Sequence, residues 1–139
     1  MYAAGAAHPL KEPCQRVMRL LDREPSAFVT DAEVLQEIVH RYRSVGRWEQ
    51  GHRVLVRFAE AIENRIDPVY PGDVMRAADL ADAYPALSAR DLLHAAVMHR
   101  LGTDRIVSTD TSFDAIHGIQ RLDPALVSDW QDIVLSPDT

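Results

Sequence analysis

Cysteine is nearly missing from this chain, with Cys14 standing alone. One thiol leaves no disulfide framework and no cysteine-built zinc site, and a reducing cytoplasmic setting fits it. Cys14 itself reads as a small hydrophobe on a helix. Long apolar runs are also lacking, and no basic stretch followed by an apolar one stands at the N-terminal end, so neither a membrane span nor a secretory leader is predicted from these residues. Lysine is scarce: among 15 basic residues only Lys11 is not arginine. Arginine forks suit phosphate, although biased base composition in the gene gives the same preference. Positive charge as a whole is in deficit, with a net charge of −6 over 139 residues. That balance excludes a protein holding nucleic acid mainly through a basic surface. It does not exclude a nuclease, because carboxylates gathered for metal ions make the bare chain acidic. Finally, G-x-x-x-x-G-K-[ST], G-x-S-x-G, G-x-G-x-x-G and H-E-x-x-H are all absent. P-loop hydrolysis, acyl transfer through a serine elbow and zinc held by two helical histidines are therefore unsupported.

What is present centres on Ser88 to Asp114, SARDLLHAAVMHRLGTDRIVSTDTSFD. Leu92, Leu93, Ala95, Ala96, Val97, Met98 and Leu101 make its first half apolar over most of a helical circumference, which predicts a buried central helix. Gly102 stops that helix at little steric cost. A strand, Arg105 to Ser108, then leads into Thr109-Asp110, with Asp114 four residues on. One carboxylate opening a buried helix and another at the carboxyl end of a strand are placed to converge where open α/β sheets bind ligands.

Before that stretch the chain alternates helices and short strands. His8-Pro9 opens a first helix with Val17, Leu20 and Leu21 inward. Ala27 to Val29 reads as a strand, and Thr30-Asp31 as the cap of a second helix in which Val34, Leu35, Ile38, Val39 and Tyr42 recur at helical spacing. Gly46 lies in the break. A third helix runs from about Trp48 to Asn64, and with the second it forms an arm whose exposed apolar residues suit a dimer interface. Ile66 to Val69 is a strand confined to an edge by Pro68. A fourth helix spans Val74 to Tyr84, Ile119 to Leu122 is a last strand, and a short helix lies around Asp129 to Val134. One domain, 1–139, of mainly parallel α/β architecture is expected.

The stretch SARDLLHAAVMHRLGTDRIVSTDTSFDAIHGIQRLDP, together with TDAEVLQEIVHRY before it, resembles PIN-domain ribonucleases of the VapC toxin type. In that family an Asp opens a buried helix and a strand ends in Ser/Thr-x-Asp with Phe-Asp shortly after. The resemblance covers nearly the whole chain. It implies a three-layer α/β/α sandwich and a Mg²⁺- or Mn²⁺-dependent endoribonuclease, the toxin of a toxin–antitoxin pair. Glu37, Asp91 and Asp110 would be its metal-binding and catalytic acids, with Asp114 assisting. RNA, a small antitoxin that covers the acidic pocket, and a second copy of the chain are the implied partners; no membrane is implied. One element of the pattern is lacking. Met1 to Ala7 resembles a stretch that follows a first strand and its Asp-x-Asn motif, and neither is present. The expectations are a biological start upstream of Met1, residues Met1 to Ala7 displaced or weakly anchored, and a gap or rearrangement at the sheet centre. The rival reading is a PIN-like interaction protein, catalytically inert because that first acid is missing.

Each acid also has a plainer role. Asp110 can cap the turn Thr111 to Ile116. Ser88 to Asp91 fits a capping box, in which the acid reaches back to the cap amide. Glu37, at the border of its helix's buried face, can pair with Arg41 one turn on for a few tenths of a kcal/mol. Glu33, one turn earlier, is the residue most easily mistaken for it. Asp114 is equally a supporting ligand or a solvated acid, and Thr109 can orient a carboxylate or a water. Asp31, Asp104 and Asp123 read as solvated or capping acids, and His94 and His99 do not stack on one helix face.

Overall fold

The central helix is the best covered element of the computed structural model, which describes residues 1–63 and 65–136. In chain order the elements are α1 (Lys11–Arg23), β1 (Thr30–Asp31), α2 (Ala32–Ser44), α3 (Trp48–Ala61), β2 (Ile66–Asp67), α4 (Pro71–Ala83), α5 (Ala89–Leu101), β3 (Arg105–Val107), β4 (Gln120–Leu122) and α6 (Val127–Leu135). In α5, Leu92, His94, Ala95, Ala96, Val97 and Met98 are all buried, as its apolar circumference predicts. Gly102 adopts a left-handed conformation (φ 69°), so that the amide of Thr103 reaches back to the carbonyl of Met98 at 3.0 Å and closes the helix end.

Two sets of neighbours sheathe this helix. Ala77 of α4 packs with Leu92 and Ala96, while Ala95 packs with Phe113 and Ile116 from the segment after β3. A third cluster joins distant parts of the chain: Leu20 of α1, Leu122 of β4, and Val127 and Trp130 of α6. The indole of Trp130 donates to the Asp123 carbonyl at 2.8 Å, so its polar edge is satisfied while its body fills the core.

Among the described residues the strands are short and run in two parallel pairs, giving an α/β fold. Thr30 and Asp31 of β1 face Ile66 and Asp67 of β2, and Arg105, Ile106 and Val107 of β3 face Gln120, Arg121 and Leu122 of β4. Among the described residues no ladder joins the two pairs. The segment before α1 forms a 3-10 turn, Tyr2–Ala4, against that helix. Gln15 donates to the Ala3 carbonyl at 3.1 Å, Gln50 to the Ala4 carbonyl at 3.0 Å, and Tyr2 stacks on His8, so these residues are tied down.

Several boundaries differ from those expected; β2 ends at Asp67 rather than Val69, β3 at Val107 rather than Ser108, and β4 begins at Gln120 rather than Ile119. The first strand begins at Thr30: Pro25 starts a 3-10 turn through Ala27, and the Thr30 amide donates to the Arg65 carbonyl at 3.2 Å. The third helix ends at Ala61, and Asn64, its expected end, lies outside the described residues. The fourth begins at Pro71, whose fixed φ suits a first helical position, and Asp73 accepts the Tyr70 amide at 2.9 Å. Asp73, buried, also takes both Nε and Nη2 of Arg100, which locks α4 to the C-terminal turn of α5. Among the described residues no helix is long and apolar enough to cross a membrane.

Gly51 sits buried inside α3, where a side chain would ordinarily favour the helix. A Cβ there would lie 2.3 Å from Cβ and 2.6 Å from Cγ of Tyr42 on α2. Those are the inner atoms of Tyr42, so the two helices would have to part. Gly51→Ala should therefore destabilise the fold by roughly 1–2 kcal/mol, overpacking outweighing the gain of about 1 kcal/mol in helix propensity. Denaturant unfolding checks this; an unchanged or raised midpoint would show that the arm has slack.

Candidate active site

Asp31 ends β1 and opens α2, and its two oxygens do different work. Oδ1 accepts the Val34 amide at 3.0 Å and caps the helix; Oδ2 accepts Nδ1 of His94 at 2.7 Å. Both residues are buried, with 6% of Asp31 and 8% of His94 exposed. A histidine on the buried face of an apolar helix must find a partner, and this one finds it across 63 positions of sequence.

The other edge of the ring faces Glu37. Nε2 of His94 lies 3.8 Å from Glu37 Oε2, and Nη1 of Arg90 lies 3.6 Å from Glu37 Oε1. Glu37 is thus bracketed by two cations from the first turns of α5, each just beyond hydrogen-bond range. His94 is rigidly held, whereas the Arg90 side chain is 51% exposed. Burial acts to lower the His94 pKa and is the largest single influence on it. Its hydrogen bond to Asp31, the contact with Glu37 and the negative charge of both together outweigh burial and raise it from 6.5 to about 10. The ring is therefore an imidazolium at neutral pH.

Asp91 stands one turn before His94 on the same face of α5. Its amide donates to Ser88 Oγ at 3.1 Å, but the reciprocal half of a capping box, carboxylate to cap amide, is not formed. Asp73 of α4 does make that bond, so the contrast leaves the Asp91 carboxylate without an ion pair among the described residues. Asp110 is exposed at the carboxyl end of β3, where Oδ1 accepts the Ser112 amide at 2.9 Å and caps the 3-10 turn Thr111–Ala115. The Ser112 hydroxyl and amide hold its carboxyl below the usual range. Asp114 is taken up by Arg121, whose Nε and Nη2 approach its two oxygens at 2.9 and 3.2 Å.

The structure thus brings Glu37 to the helix that carries Asp91, and places Asp110 and Asp114 in separate polar contacts. Among the described residues no three His, Cys, Asp or Glu side chains are gathered closely enough to hold a metal ion. By donor chemistry the set fits a hard divalent cation, being all carboxylate oxygen. Glu37 also suits exchange of partners, because its present contacts are long and one of them is half exposed to water. Both oxygens of Asp31 are engaged, one by the Val34 amide and one by His94. Sequence reasoning gives Asp31 as the cap of α2, which it is, but misses its pairing with His94; the available signal is a lone histidine on an otherwise apolar helix face, one turn after an acid.

Comparison with known proteins agrees with the earlier resemblance. The family model described as the PIN domain matches residues 6–119. Ribonuclease VapC13 of Mycobacterium tuberculosis is 42% identical over 125 residues, covering 88% of this chain and 92% of that protein. Ribonuclease VapC23 of the same species is 37% identical over 110 residues, 79% and 86% of the two chains, and ribonuclease VapC7 is 34% identical over 124 residues, 86% and 85%. No solved structure matches the chain.

Because the folded pKa of His94 is raised, its contribution to stability is present in full below 6.5 and is lost as pH rises through about 10. The ring carbon and nitrogen resonances of His94, followed by NMR, should show the imidazolium persisting past pH 9. A midpoint near 6.5 would mean that Asp31 and Glu37 do not hold the proton.

Proposed function

The chain is a PIN-domain protein of the VapC type, and on that footing we propose that it is a metal-dependent endoribonuclease, the toxin of a toxin–antitoxin pair. What carries the reading is the likeness, along most of both chains, to relatives named ribonucleases. Those names favour an enzyme over an inert interaction protein. The site's donor chemistry supports the same reading.

Glu37, Asp91 and Asp110 would hold Mg²⁺ or Mn²⁺, with Asp114 assisting. When bound, such an ion supplies Lewis acidity toward a phosphate oxygen and makes hydroxide available from water near neutral pH. The chain's own residues position and balance charge. His94 and Asp31 fix one side of Glu37. Arg90, with its guanidinium half in water, can leave Glu37 and turn to an RNA phosphate, for which its planar fork is suited. Arg121 neutralises Asp114 at the other rim. The partners follow from the same reading: RNA as substrate, a small antitoxin whose basic side chain covers the acids, and a homodimer. The exposure of Val45 and Val56 on the arm of α2 and α3 supports the last. A cytoplasmic setting belongs to the same proposal and agrees with the lone Cys14.

RNA cleavage should require Mn²⁺ or Mg²⁺ and stop in excess chelator. Asp110→Asn keeps an oxygen for the Ser112 amide, so its melting temperature should stay within about 2 °C of wild type. Its cleavage rate should nevertheless fall by about 100-fold or more, as when a charge-stabilising group is removed from an active site. Cleavage that survives chelator would overturn the metal requirement, and full activity in Asp110→Asn would leave that residue as a cap only.

A further inference from the structure

Glu37 is held from one side by a group that cannot move and from the other by one that can. Asp31 caps α2 with one oxygen and grips Nδ1 of His94 with the other at 2.7 Å, so the ring is anchored to the element that carries Glu37 as well as to α5. The opposite ring nitrogen then faces Glu37 Oε2, while Oε1 faces the half-exposed Arg90. We infer that His94 is a positioning residue for the acidic site: clamped through Nδ1 by Asp31, it uses its Nε2 edge to set the Glu37 carboxylate beside the turn of α5 that bears Asp91. Asp31 supports it from behind and does not bind the ion, both of its oxygens being engaged. A group fixed behind a metal-binding side chain commonly governs affinity by about 10- to 100-fold. The inference rests on the metal reading above.

Two substitutions separate the two ring nitrogens. The amide nitrogen of asparagine sits near the place of Nδ1, so His94→Asn can keep the bond to Asp31 but cannot reach Glu37. The amide nitrogen of glutamine sits near the place of Nε2, so His94→Gln can keep the contact with Glu37 and gives up Asp31. Mn²⁺ binding to the full chain, measured by titration calorimetry on variants shown to be folded, should weaken about 10- to 100-fold in His94→Asn. In His94→Gln it should weaken less than in His94→Asn, the Glu37 contact being kept and only the Asp31 clamp lost. If His94 served only to satisfy Asp31, the order would be reversed, and that result, or wild-type affinity in both variants, overturns the inference. Should neither variant fold, the wild-type protein decides. Saturating Mg²⁺ should shift the Nε2 resonance of His94 while leaving Nδ1 in place, and two unmoved resonances at saturation count against the proposal. Wild-type protein that takes up no Mn²⁺ or Mg²⁺ overturns the metal reading itself, which distinguishes that failure from one confined to His94.

Discussion

An ion pair shut away from water, Asp31 with His94, joins the end of the first strand to the central helix, and the arrangement of the site depends on it. Two buried ionisable groups persist only if each satisfies the other and their remaining polar atoms find partners. Here the remaining oxygen of Asp31 caps α2 and the remaining nitrogen of His94 faces Glu37. One interaction therefore ties the capped start of α2 to α5, beside Glu37. The fold's stability and its chemistry meet at this point.

Around that pair, apolar packing does the rest. The helix carrying His94 is enclosed by α4 and by the segment after β3, and Asp73 with Arg100 pins its far end to the start of α4. The N-terminal turns of α5 are left at the edge of this enclosure, with Arg90 half exposed and Asp91 partly so. The first turns of α5, where partial positive charge gathers, thus face Glu37 of α2 through Arg90 and His94.

Helices were far more legible in the sequence than strands. The apolar circumference of α5 and the stop at Gly102 translate directly into a buried helix, and Asp31 marks the start of α2 by the side-chain cap it forms. Strands of two or three residues carry too little pattern, and Pro25 displaced the first from Ala27–Val29 to Thr30–Asp31. At the site, Glu37, Asp91 and Asp110 are singled out by the resemblance to VapC-type ribonucleases. The residues alone read Asp91 as half of a capping box and Glu37 as a partner for Arg41. The role of His94 could not be read, because its partner lies far away in sequence and its spacing to His99 fits no metal pattern. The half-formed box at Ser88 also needed coordinates, since Asp91 and Asp73 occupy the same helical position and only Asp73 reaches back to its cap.

The most direct test of this account is paramagnetic broadening by substoichiometric Mn²⁺ in NMR spectra of the labelled full chain. Broadening falls steeply with distance from the ion, so it locates the ion without reference to activity. The account predicts the strongest effect at Glu37 and Asp91, extending to Asp110, with the region from Asp67 of β2 to Asp73 of α4 unaffected. Broadening centred on other acids, with the resonances of Glu37 and Asp91 still sharp, would contradict it.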